Sequence, residues 1–179
     1  MAKILAVIAV FLASASLAVA QSGHSPYIGQ EKREIKSLST EEIQAYLSGD
    51  GMGLAKAAEL NHYPGPKHVL DLAEGLELSG RQISTTKEIY NGMQREAVAL
   101  GKLIVEKEGI LDNLFADQNM KKAQLESMVA EIAKLQGKLR AAHLAAHLRM
   151  KEVLSPEQIA AYDALRGYGS NQEQDPHRH

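Results

Sequence analysis

Apolar residues recur every three to four positions through two long stretches of this chain. The first runs through Ile83, Tyr90, Met93, Ala97, Leu100, Ile104, Leu111 and Leu114, with polar Thr86 and Lys107 in the two gaps. The second runs through Leu125, Met128, Ile132, Leu135, Leu139, Ala142, Ala146, Met150 and Val153. Such spacing lays one apolar stripe along a helix. No proline interrupts residues 80–116, so that stretch predicts a single helix about 55 Å long at 1.5 Å per residue. Ala116-Asp117-Gln118-Asn119 is the turn. Two long helices joined so closely must be antiparallel neighbours. Heptad-like spacing favours a shallow, left-handed, coiled-coil crossing. Between Leu139 and Leu154, Leu144 and Leu148 add a second apolar row. That surplus needs cover from the short helices or from a second copy, and a homodimer is expected.

Helix starts are marked three times by one module: Leu, Ser, two further residues, an acid or amide, then Ile. It occurs as Leu38-Ser39-Thr40-Glu41-Glu42-Ile43, Leu78-Ser79-Gly80-Arg81-Gln82-Ile83 and Leu154-Ser155-Pro156-Glu157-Gln158-Ile159. The Ser hydroxyl accepts from an orphaned backbone N–H, and the Glu or Gln three residues on closes a capping box. The flanking Leu and Ile can form a hydrophobic staple. Pro156 occupies the first helical position, where a missing N–H costs nothing.

The remaining elements are short. A helix from Ser39 to about Leu47 is interrupted by Gly49, Gly51 and Gly53, and a second turn or two is expected through Leu60. Asn61-His62-Tyr63-Pro64-Gly65-Pro66 is a break. Pro66 opens a helix with Val69, Leu70, Leu72 and Ala73 on one broad face, ended by Gly75. A last helix runs from Ser155 to Arg166-Gly167. The fold class is therefore all-α: a long antiparallel helical hairpin flanked by short capped helices.

Lys3, the apolar run Ile4 to Leu12 and Ala18-Val19-Ala20 have the order of a secretory signal peptide, so residues 1–20 are expected to be removed before Gln21. The run is too short and Ala-rich for a membrane span. An extended arm over 21–38, a helical domain over 39–166 and a polar, disordered tail over 167–179 complete the expected organisation. With no cysteine, disulfides and a lipidated cysteine are ruled out. The chain carries 20 Lys and Arg against 22 Asp and Glu, a net charge of −2, and lacks the basic face a nucleic-acid binder needs.

Chemistry is sparse. The prominent serines are explained as caps, and there is no nucleophile elbow, glycine-rich phosphate loop or metalloprotease motif, so no catalysis is expected. His143 and His147 are one turn apart on one helix face, a spacing that can clamp Zn, Cu, Ni or Co. In an antiparallel hairpin residue 143 falls opposite Met93, which makes Met93, Glu96 and Met150 candidate further ligands. Two His are half a site, and the plainer alternative is a pair of imidazoles beside the helical seam. His24, His62 and His68 sit near Pro or Gly and read as loop residues. Met93, Met120, Met128 and Met150 would suit promiscuous contact with clients, or would simply fill a core. Arg140, Arg149 and Lys151 are too few for a membrane-surface helix.

Leu78-Ser79-Gly80-Arg81-Gln82 and Leu154-Ser155-Pro156-Glu157-Gln158 both match L-[ST]-x-x-Q. Two such motifs around a helical hairpin, behind a signal peptide and without cysteine, resemble the Spy/CpxP family of periplasmic proteins and its heavy-metal resistance and sensor relatives. The resemblance covers about residues 66–166. It leaves Gly-Met-Gly-Leu-Ala-Lys-Ala-Ala-Glu-Leu (51–60) unexplained, and the Leu38 copy departs from the motif with Glu42. It implies a dimeric, cradle-shaped periplasmic protein that binds unfolded envelope proteins without ATP. The alternatives it implies are a heavy-metal-binding sensor or resistance protein, and an adaptor that modulates an envelope-stress sensor. The motif residues Leu78, Ser79, Gln82, Leu154, Ser155 and Gln158 would set helix starts, with no cofactor required.

Overall fold

The structure, a computed structural model, describes residues 25–168. The expected signal peptide over 1–20, His24 and the expected tail beyond Tyr168 lie outside the described residues. A 3-10 turn at Gln30–Lys32 is followed by six helices: α1 (Thr40–Ser48), α2 (Lys56–Glu59), α3 (Pro66–Asp71), α4 (Gly80–Ala116), α5 (Lys122–Val153) and α6 (Pro156–Leu165). Among the described residues there is no strand, and no helix is long and apolar enough to cross a membrane.

α4 and α5 pack against each other along their length. Their direction is fixed at both ends of the seam: the Gln82 amide donates to the Val153 carbonyl at 3.0 Å, and Lys107 pairs with Glu131 at 2.7 Å. Only an antiparallel pair brings both contacts together. Gln118 turns the chain between them with φ 53°.

All three capping boxes form, at Ser39/Glu42, Ser79/Gln82 and Ser155/Gln158. Two of them are laced together. Gln82 and Gln158 each accept from their own cap's backbone N–H at 3.0 Å. Each then donates its amide to the other glutamine, at 2.7 and 3.3 Å. The Gln158 amide also donates to the Leu76 carbonyl at 3.1 Å. A glutamate could close the box but could not donate, which distinguishes these two sites from Glu42.

The interior has two apolar clusters. Val69, Leu76, Ile89, Ala146, Met150, Leu154 and Tyr162 form one, near the helix starts. Ala97, Ile104 and Leu139, with Tyr46 and Leu54 against them, form the other. On α4 the stripe is shifted from the expected one: Ile89, not Tyr90, is fully buried, and so is Thr86, whose hydroxyl donates back to the Gln82 carbonyl at 2.7 Å. That internal bond satisfies the one polar group an apolar environment would penalise. Met128 and Met150 are interior residues, not a client surface.

Further features have local causes. The arm is docked, not merely extended: Ile35 and Leu38 are buried and Lys36 pairs with Asp112 at 2.9 Å. α3 ends before Gly75, and Glu77, not Gly75, takes the positive φ of 49°. Gly75 instead lets Leu165 approach, since a Cβ there would meet its Cδ1 at 3.1 Å. α1 crosses α4 at Gly101, where an added Cβ would lie 1.9 Å from the Tyr46 carbonyl oxygen. Tyr168, assigned to the tail by the sequence, is held by a 2.9 Å hydrogen bond to Glu59. Finally, the apolar surplus on α5 is only partly covered: Leu144 is half-buried and Leu148 is 55% exposed.

Candidate functional site

Between the two apolar clusters the packing opens into a cavity of about 460 Å³. α5 supplies His143 and His147, α4 supplies Tyr90, Met93 and Gln94, and α3 supplies His68. The roof comes from the segment 49–66, including Asp50, Met52, Glu59 and Gly65. Arg166 and Tyr168 close one side.

The two imidazoles are 4% and 8% exposed. His147 Nδ1 is 2.7 Å from the Tyr63 carbonyl oxygen. A carbonyl can only accept, so Nδ1 carries a proton, and in the neutral ring the lone pair is then on Nε2. This is the arrangement by which a backbone carbonyl fixes the tautomer of a metal-ligating histidine. Nε2 lies 3.2 Å from where a Cβ on Gly65 would stand, so the bare glycine is what admits the ring. His143 Nε2 is buried with no hydrogen-bond partner. Burial, then the neighbouring His147, holds the His143 imidazole below its usual pKa, against an opposing pull from Asp50. His143 is thus a neutral nitrogen base in a dry place.

Glu59 sits under the same roof. Its Oε1 accepts from Tyr162 at 2.6 Å, Tyr168 at 2.9 Å and Arg166 Nε at 3.3 Å. Its Oε2 is buried without a hydrogen-bond partner and lies 3.7 Å from His147 Nδ1. Tyr162 also accepts the Gly65 N–H at 3.4 Å. Burial, then the Glu59 carboxylate, pushes the Tyr162 phenol well above its usual range, so it stays a donor. One carboxylate oxygen thus ties the roof to α6, and the other is left over.

The residues singled out from sequence fall as follows. His143, His147 and Met93 line one cavity. Glu96 is exposed and does not line it, and Met150 is fully buried in the apolar cluster. His68 is on a helix, not in a loop, and faces the cavity; burial, then the Arg166 charge, lowers its pKa. His62 is exposed and pairs with Asp163 at 2.7 Å. Among the described residues no three His, Asp or Glu converge closely enough to hold a metal ion. Two imidazoles and nearby thioethers can nevertheless supply part of a borderline or soft coordination set. Sequence reasoning missed Glu59, Met52 and the whole roof, because nothing in the periodicity says where a glycine-broken segment will lie.

Comparison with known families gives one match. A family model described as heavy-metal resistance covers residues 51–161, well over half of the chain. The match takes in the 51–65 segment that forms the roof, ahead of the 66–166 region. No curated protein and no solved structure matches this chain.

Proposed function

The chain belongs to the heavy-metal resistance family, and from that premise we propose that it is an exported, periplasmic protein that captures a metal ion in the cavity at His143 and His147. The observation that carries the reading is the buried His143 Nε2, which has no partner beside a second imidazole whose proton is fixed on the far nitrogen. An unpaired buried nitrogen costs about 1–3 kcal/mol, and a bound ion would recover it. His143 and His147 would present their Nε2 atoms and Met93 a thioether. Zn, Cu, Ni and Co all accept imidazole, and the cargo is bound rather than chemically changed.

Calorimetric titration of residues 21–179 with these ions tests the reading, beside the His143→Ala/His147→Ala double variant. Submicromolar binding that the variant loses is the expected result. Absent binding, or binding the variant retains, would refute it.

A second reading is ATP-independent binding of unfolded clients. It is favoured by large exposed apolar side chains along the hairpin, Leu103, Ile110, Phe115, Val129 and Leu148. Suppression of aggregation of an unrelated unfolded protein without ATP tests it, and no suppression would exclude it. A homodimer that covers Leu144 and Leu148 belongs to the same proposal; a monomer in sedimentation equilibrium at micromolar concentration would remove it.

A further inference from the structure

The roof of the cavity contains a turn whose composition works against its own backbone. Leu54 N–H donates to the Gly51 carbonyl at 2.7 Å, closing a four-residue turn over 51–54. Its two central residues, Met52 and Gly53, have φ of 42° and 73°. Consecutive positive φ values belong to the mirror-image turns that Asn, Asp and Gly favour. A methionine at the first central position is strained where a glycine would not be. No local hydrogen bond of the thioether can offset that, since sulfur is only a weak acceptor. Yet Met52 lines the cavity beside Met93, His143 and His147 while remaining 40% exposed.

The turn is anchored at both ends and has open space beside its glycines. At one end Gly49 is pressed on α4, with Ala97 and Val98 atoms within 3.1–3.2 Å of where its Cβ would be. At the other, Leu54 packs against the Ala97 cluster. Between these anchors, Gly51 and Gly53 would each carry a Cβ into open space. A strap fastened at both ends, with open space beside its two glycines, thus lines a cavity that holds a buried, unpartnered imidazole nitrogen.

We propose that the 51–54 turn closes over the cavity so that the thioethers of Met52 and Met93 join His143 Nε2 and His147 Nε2, and that this N2S2 set selects a soft monovalent cation, Cu(I) or Ag(I), over Zn, Ni and Co. This deepens the metal-capture reading and rests on it. Imidazole is accepted by all of these ions, so the histidines confer affinity without choosing among them. Thioethers are soft and uncharged and suit Cu(I), while they add little for a divalent ion that prefers nitrogen, oxygen or thiolate. The two methionines are therefore the specificity-determining residues.

The test uses the mature chain with Cu(I) under anaerobic reducing conditions, in competition with a chromophoric Cu(I) chelator, and with Zn in parallel. Met52→Leu and Met93→Leu keep size and apolarity and remove sulfur. Each is expected to weaken Cu(I) binding by about tenfold or more, and Met52→Leu to leave Zn affinity within about twofold. X-ray absorption should count two sulfur neighbours around Cu(I) in the wild type and one in either variant. An unchanged helical spectrum shows that both variants are folded, and retained Zn binding shows it again for Met52→Leu. Unaltered Cu(I) affinity and sulfur count in Met52→Leu would overturn the closing turn. A wild type that prefers Zn over Cu(I) would overturn the metal class and leave metal capture standing. Failure of the wild type to bind either ion would bring down both.

Discussion

Glycine-to-alanine exchanges along the hairpin test how closely α1 rests on α4. In a helix interior, alanine is favoured over glycine by about 0.5–1 kcal/mol, because glycine loses more backbone freedom on folding. Gly92 in α4 and Gly137 in α5 would put the new methyl into open space, so Gly92→Ala and Gly137→Ala should each gain about that much. Gly109→Ala would bring a methyl 3.5 Å from Ile35 Cδ1, an ordinary contact, and should be neutral or slightly stabilising. Gly101→Ala is different in kind. Its methyl would lie 1.9 Å from the Tyr46 carbonyl oxygen and 2.7 Å from the carbonyl carbon. Those are backbone atoms and cannot rotate aside. A carbon–oxygen contact needs a little over 3 Å, so α1 must retreat by more than about 1 Å, which forfeits much of its dispersion contact with α4. Overpacking of this sort costs about 1–3 kcal/mol, which outweighs the propensity gain. The expected order in urea-unfolding free energy is Gly92→Ala above wild type and Gly101→Ala below it, separated by about 2 kcal/mol or more. Hydrogen exchange should localise the loss to α1. If Gly101→Ala is stabilised like Gly92→Ala, α1 does not lie where described.

Two further outcomes are expected. Gln158→Glu keeps its cap but loses donation to the Leu76 carbonyl and to Gln82, so it should cost about 2–3 kcal/mol, whereas Glu42→Gln, which only caps, should change thermal stability by less than about 0.5 kcal/mol; equal effects would refute the lacing of the two boxes. The folded-state pKa values of His143 and His68 are lowered from 6.5, so the folded chain binds fewer protons than the unfolded one: their contribution is full above about pH 6.5 and is lost as pH falls through the lowered values. His143→Gln should accordingly flatten the fall in urea midpoint below about pH 6.5, and an unchanged slope would show that His143 does not titrate low.

The elements that could be read from sequence were those specified by neighbours in the chain. A cap, its box and its helix involve residues within four positions, so Ser39, Ser79 and Ser155 announced α1, α4 and α6 nearly to the residue. The pairing of α4 with α5 followed from two stripes and one short turn. Periodicity also put His143 and His147 on one face, and the antiparallel register brought Met93 to the same place. What stayed hidden depends on contacts between distant residues. That Gly101 is a crossing point is set by Tyr46, and Gly65 makes room for a ring 82 positions away. The reach of Gln82 to Gln158 looks in sequence like two independent caps. Glu96 was a fair candidate by spacing alone, but it lies on the solvent side of α4, where only packing of α1 and the roof decides which positions face inward.

The joint between Gln82 and Gln158 bridges 76 residues in a chain with no cysteine. It joins distant parts of the chain, as a cystine can, and its chemistry is different in consequence. An amide pair has no reduction potential, so neither an oxidant nor a reductant can fasten or release it. It offers no thiolate to a thiol-seeking ion and has no wrong partner to exchange with during folding. The joint exists only while the helices that carry it exist. Unlike a cross-link it imposes nothing on the unfolded chain, so refolding from denaturant should need neither an oxidant nor an isomerase.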